Sequence, residues 1–354
     1  MLAAPPLDLP PPQTSAAAWI GSAIKADPAW CVELDASAIA ELEAAAAGLL
    51  ERHADLAALD AEAVHLPTLA PRLRLWRREL LKGRGFLLLR GLPIERYTRA
   101  EAAAIFLGLG AHLGRARSQN AKGHVLGHVC DLGLSSVDPN VRIYQTRERQ
   151  TFHTDSCDIV GLLCLREARS GGDSLLVSAL AMFNALRERS PHLLARLLRP
   201  MAHDRRGEVP AGQQPWFPMP VYSWYAGALS VFYQRQYFDS AQRFADAPRL
   251  TDDDVAALDA FDALANDERL VLRMRLAPGD LQFVHNHVLL HDRTGFEDWP
   301  EPARRRHLLR LWLAPPDARE LPPWFAARYG SLAVGDRGGV IVPGTRLHVP
   351  LEPG

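Results

Sequence analysis

Ile159-Val160-Gly161-Leu162-Leu163-Cys164-Leu165, followed after a glycine-rich turn by Leu175-Leu176-Val177-Ser178, decides the fold class. Both runs are short and apolar with turn residues at their ends, which is the pattern of buried strands. Working outward, the same pattern recurs at Val141 to Thr146, Leu270 to Leu276, Leu281 to Val284 and Leu308 to Leu313. Upstream, Gly85-Phe86-Leu87-Leu88-Leu89-Arg90 reads as another buried strand. Helices interrupt the series around Ala179 to Arg189 and Asp253 to Ala265. Many short strands with turns between them predict a sandwich or barrel, not a doubly wound parallel sheet.

The first part of the chain reads differently. Ala38 to Leu59 has the pattern of an amphipathic helix that Asp35 or Ser37 caps. A second helix is expected from about Leu73 to Lys82, stopping at Gly83. Thr98 and Glu101 fit a capping box that opens a third, over Ala102 to Leu109. The expected architecture is mainly β with flanking helices: a loose arm over 1–15, then a single domain over 16–354. That domain has a helical N-terminal layer to about residue 80, a β core over about 82–313 and a C-terminal extension.

Composition narrows the function. The 354 residues carry 40 basic and 41 acidic side chains, so there is no electrostatic footprint for nucleic acid or an anionic membrane. The proline-rich N-terminus lacks a basic n-region, and no apolar run approaches the roughly 20 residues that span a bilayer. The four cysteines form no CxxC pair, and small buried thiols in a reducing cytoplasm are the simplest reading. Cys157, four residues after His153, has the spacing for a metal-ligand role as well. Self-association is left open.

Gly108-Leu109-Gly110-Ala111-His112-Leu113-Gly114 imitates a dinucleotide-binding turn, but Leu113 stands where GxGxxG requires glycine, and the segment ends a helix. His153-Thr154-Asp155 is more informative. In an extended chain alternate residues share a side, so His153 and Asp155 can aim at one ion. HxD alone is a weak signal, because three-residue matches arise by chance. A third ligand can come from His285-Asn286-His287-Val288-Leu289-Leu290-His291. His287 and His291 have helical zinc spacing, but Val288 replaces the glutamate of HExxH, which argues against a zinc protease. Two histidines and one carboxylate suit Fe(II) with open coordination positions.

Four features together resemble the TauD/TfdA family of Fe(II)/2-oxoglutarate dioxygenases. They are Phe152-His153-Thr154-Asp155, Ser170-Gly171-Gly172-Asp173-Ser174-Leu175, Asn286 with His291 five residues on, and Arg305-Arg306-His307-Leu308-Leu309-Arg310-Leu311-Trp312. The resemblance spans roughly Lys82 to Leu313. It implies a double-stranded β-helix, or jelly roll, with His153, Asp155 and His291 as iron ligands. It also implies Arg306 and Ser174 on the distal carboxylate of 2-oxoglutarate, and Arg310 toward an acidic substrate, an internal partner such as Asp173 or Asp280 being the equal alternative for Arg310. Arg304 and Arg305 compete with Arg306 on spacing; Arg310, four residues on, favours Arg306. The implied reaction consumes O2 and 2-oxoglutarate, releases succinate and CO2, and hydroxylates a C–H bond of a small metabolite. Asp155 argues against halogenation, which needs a small residue there. The competing expectations are an idle jelly-roll protein that binds a metal or a small acid, and a zinc-dependent hydrolase in the same pocket. The aromatic segment from Trp216 to Phe238 reads equally as a substrate wall or as core.

Overall fold

The computed structural model describes residues 8–136, 141–210, 212–342 and 344–353. Its core strands are β1 (Cys31–Glu33), β2 (Phe86–Arg90), β3 (Arg115–Ala116), β4 (Leu126–Val129), β5 (Gln150–His153), β6 (Ile159–Arg166), β7 (Ser174–Ser178), β8 (Val271–Met274), β9 (Leu281–His285), β10 (Leu289–Arg293) and β11 (His307–Ala314). The larger sheet runs β1-β2-β9-β6-β11, with β3 and β4 both pairing to β11. The smaller runs β8-β7-β10-β5. Pairing is antiparallel throughout these sheets except between β1 and β2. Strands β2, β9, β6 and β11 against β8, β7, β10 and β5 form the expected jelly roll.

The two-residue period of a strand sorts each sequence between layers. On β11, Leu309, Leu311 and Leu313 join the apolar cluster beneath the helical layer, while Leu308 and Trp312 join the cluster between the sheets. The helices Ala36–Glu51, Leu69–Lys82 and Arg99–Leu113 cover the outer face of the larger sheet. Helices Ala179–Arg189, Pro191–Leu197 and Asp252–Ala265 pack against the smaller one. Gly110 is needed for this layering, since a Cβ there would lie 2.8 Å from Leu311 Cδ1.

Several boundaries differ from the expectations. Val141 to Thr146 is not a strand; Ile143–Gln145 is a 3-10 turn, in which the Arg142 N–H donates to the Gln145 side chain. The helix expected to reach Leu59 ends at Glu51, because His53 takes a left-handed conformation with φ of 50°. Asp35, not Ser37, caps it through the Ala38 N–H. The capping box of Thr98 and Glu101 forms as read. Of the arm expected to be loose, residues 1–7 lie outside the described residues, whereas Gln13 exchanges hydrogen bonds with Asn184 and Pro10 accepts one from Arg187.

Candidate metal centre

Strand β5 ends at His153, and its Cα partner on the antiparallel neighbour β10 is His291. Directly opposed residues project from one face, and the two imidazole centroids lie 4.1 Å apart. Asp155 follows just past the strand end. Its Oδ1 is 4.0 Å from His153 Nε2 and its Oδ2 is 3.8 Å from His291 Nε2. One ligand atom from each of the three residues falls within 4.8 Å of the others, and no other such group occurs among the described residues.

The surroundings fix the donors. His153 Nδ1–H donates to the Thr151 carbonyl at 2.8 Å, so its Nε2 keeps the lone pair. The Gln150 amide reaches that Nε2 at 2.9 Å. Trp312 Nε1–H donates to Asp155 Oδ2 at 2.8 Å, and Arg310 Nη1 stands 3.5 Å from the same oxygen. The Asp155 N–H donates to Asn286 Oδ1 at 3.3 Å, which ties the post-strand turn to the turn that follows β9. Burial lowers the pKa of His153, and it pushes His291 down to about 3 with His153 adding to the effect. Burial alone would raise Asp155, but Arg310, the two histidines and the Trp312 N–H outweigh it, and its pKa falls. The imidazoles are therefore neutral and the carboxylate ionised, which are the protonation states that bind a metal.

The other candidates point elsewhere. His287 Nε2 lies 2.8 Å from Asp158 Oδ1, and His285 is buried at the end of β9. The Cys157 thiol donates to the Ile159 carbonyl at 3.3 Å, and burial pushes its pKa well up. None of these three side chains enters the cluster.

Residues 52–312 match the family described as taurine catabolism dioxygenase TauD, TfdA family. This chain belongs to the TauD/TfdA family. It is 32% identical over 317 residues to FR-33289 synthase of Streptomyces rubellomurinus, covering 88% of this chain and 93% of that protein. It is 33% identical over 186 residues to uridine-5'-phosphate dioxygenase of an Amycolatopsis species, covering 48% and 63% respectively. In fold it resembles asparagine oxygenase in complex with Fe(II), 3-hydroxyasparagine and succinate, with a TM-score of 0.61 at 21% identity, covering 80% of this chain and 93% of that one. As a TauD/TfdA member it is a dioxygenase dependent on Fe(II) and 2-oxoglutarate, with O2 as co-substrate.

For a TauD/TfdA dioxygenase the donor set fits Fe(II), and a buried cation lies beside it. Arg306 is 5% exposed, and its Nη1 has no hydrogen-bond partner among the described residues. Its backbone N–H donates to Asp298 Oδ1, and Gly172 makes room for it, since a Cβ there would lie 2.9 Å from Arg306 Nε. The Ser174 hydroxyl donates to Gln282 Oε1 at 2.9 Å. Arg306, Ser174, His153, His291 and Arg310 line one narrow recess. Arg304 and Arg305 leave it: Arg304 stacks on Trp299, and Arg305 donates to the carbonyls of Trp299 and Pro300.

A wider cavity of about 340 Å³ opens from Asp155 toward solvent. Gln119, Asn120 and Tyr144 all line it. Gln119 Oε1 accepts from Arg310 Nε at 2.7 Å, and Tyr144 lies 4.6 Å beneath that guanidinium. The aromatic segment is mainly core, with Phe217, Tyr222, Tyr233 and Phe238 buried, while Phe232 and Tyr237 reach the cavity wall. His203 is buried among Phe217, Phe232 and Phe238. Sequence reasoning missed Trp312 as a partner of Asp155; its inward register with Arg310 on β11 was the available signal.

Proposed function

We propose that this dioxygenase hydroxylates a C–H bond of a small anionic metabolite. In this reading His153, Asp155 and His291 hold Fe(II), Arg306 and Ser174 hold 2-oxoglutarate, and Arg310 faces the substrate. The observation that carries it is the convergence of two neutral imidazoles and an ionised carboxylate where a cation-lined recess meets an open cavity. Bound iron would supply O2 activation coupled to decarboxylation of the keto acid. The chain's own residues supply the rest. The histidines and Asp155 are pre-set in their ligand forms, and Arg306 offers a planar fork to a carboxylate. The cavity wall carries Lys122, Arg142, Arg206, Arg310 and Arg328 against Asp155 and Glu208, an excess of positive charge that supports an acidic substrate.

Arg310 is neither bidentate to a carboxylate nor free, since Gln119 holds its Nε and Asp155 lies 3.5 Å from Nη1. Its remaining donors are available to an anion. The uridine-5'-phosphate dioxygenase relative is named for a phosphorylated substrate, in keeping with this charge. The same reading places the enzyme in the cytoplasm, acting on a small molecule without a nucleic-acid or membrane partner. No helix among the described residues is long and apolar enough to cross a membrane, and the cysteines are free.

The test is succinate release from 2-oxoglutarate when the Fe(II)-loaded protein meets pools of phosphorylated, phosphonate, sulfonate and carboxylate metabolites. Asp155→Ala should abolish release while the circular dichroism spectrum is unchanged. Stimulation only by uncharged metabolites would reject the anionic class. No succinate with any pool would favour a binding protein.

A further inference from the structure

Arg293 is anchored by one nitrogen and leaves two unused. Its Nη2–H donates to the Glu148 carbonyl, whereas Nε and Nη1 are buried without a hydrogen-bond partner among the described residues. The residue is 7% exposed. A buried guanidinium with idle donors is costly unless an anion completes it. Of the nearby acids, Asp292 pairs with Arg149 through Oδ2 and keeps Oδ1 unpartnered, without a hydrogen bond to Arg293, and the Glu148 carboxylate accepts from Ser136.

Three observations say where the idle donors are aimed. On β10, Arg293 is the Cα partner of Ser174 on β7, so the two side chains leave the smaller sheet side by side. The recess lined by Ser174, Arg306, His153 and His291 is also lined by Arg293. The guanidiniums of Arg293 and Arg306 both stand over the Phe296 ring, 4.8 and 5.2 Å from its centroid. Two like charges held this way repel unless an anion is shared between them.

We propose that Arg293 is a second guanidinium for the carboxylate that Arg306 engages, the distal carboxylate of 2-oxoglutarate. This rests on the co-substrate reading above. A carboxylate accepts about four hydrogen bonds over its two oxygens, so one guanidinium leaves acceptors unmet in a buried recess. The Ser174 hydroxyl hydrogen is given to Gln282 in this structure. Even when that hydroxyl turns to the co-substrate it supplies a single hydrogen, and Arg293 brings the further donors.

The experiment measures binding, not turnover. Anaerobic Fe(II)-loaded protein is titrated by calorimetry with 2-oxoglutarate and with 2-oxovalerate, which keeps the keto-acid end but lacks the distal carboxylate. Arg293→Met should weaken 2-oxoglutarate by about tenfold or more, the scale of a charged hydrogen bond. It should leave 2-oxovalerate and Fe(II) affinity within about twofold. Arg293→Lys, which keeps the charge but one point donor, should fall between wild type and Arg293→Met; it also serves if the methionine variant does not fold. Unchanged 2-oxoglutarate affinity, or equal weakening of both acids, overturns the proposal. Failure of the wild type to bind either acid overturns the co-substrate reading itself, and this inference with it.

Discussion

Asp155 is held from outside its own strand, and this decides how far a residue pattern can be read. The HxD spacing exposes His153 and Asp155, because alternate side chains share a face. It says nothing of Trp312, whose Nε1–H meets Asp155 Oδ2 at 2.8 Å across 157 residues of chain. Such partners of metal ligands set the ligand's orientation. Trp312→Phe keeps most of the ring volume and removes the donor. We expect Fe(II) affinity to fall about tenfold, the lower end of the range for such partners, as measured by anaerobic metal titration. Unchanged affinity would mean that Arg310 and the Asn286 contact suffice. That Arg306 and Arg310 share a face was legible from their four-residue spacing, although the neighbouring arginines competed. Only the fold separates them, by turning Arg304 and Arg305 outward onto Trp299 and its flanking carbonyls.

At the scale of elements, the C-terminal extension grips the turn that carries Asp155. Arg337 is fully buried and bidentate to Asp158, at 2.8 to 3.1 Å. Gly339 N–H donates to the Ser156 carbonyl, and Arg328 Nε donates to Ser156 Oγ. A Cβ at Gly338, whose φ is 74°, would lie 2.9 Å from that same carbonyl. These residues lie beyond the part of the chain that matches the family, which ends at 312. Nothing in their local sequence shows what they pack on, whereas strands β6 and β7 announce themselves by short apolar runs. The Val141 to Thr146 segment has a similar alternation and still forms a 3-10 turn, because a few residues of period two do not exclude a tight turn. Arg337→Met strands a buried carboxylate and should cost about 3–5 kcal/mol near neutral pH, read by denaturant unfolding. The sign with pH follows from Asp158. Burial would raise its pKa, but His287 and Arg337 hold it below the ordinary aspartate value. That stabilisation is present above the unfolded pKa and is lost as pH falls through the lower folded one. The gap between wild type and Arg337→Met should therefore narrow as pH drops below about 4. A gap that is constant with pH would assign Arg337 to packing alone.

Across the whole molecule, one strand serves two purposes on opposite faces. Leu309, Leu311 and Leu313 of β11 are fully buried against the helical layer. Arg310 and Trp312, between them in sequence, face Asp155 of the three-residue cluster. The larger sheet thus separates a stability layer from a chemical layer by the thickness of one pleat. Leu309→Ala tests this division. It removes side-chain volume from the outer core and should cost about 2–5 kcal/mol, the range for such truncations when the cavity does not collapse. Because the opposite face keeps its register with β4 and β6, the folded variant should bind Fe(II) with wild-type affinity. The measurement pairs a denaturant midpoint with an anaerobic metal titration on the same sample. Trp312→Phe should show the opposite split, with a small midpoint change and a large affinity change. If Leu309→Ala also lowers metal affinity, the sheet transmits strain between its faces, and the helical layer takes part in setting the centre.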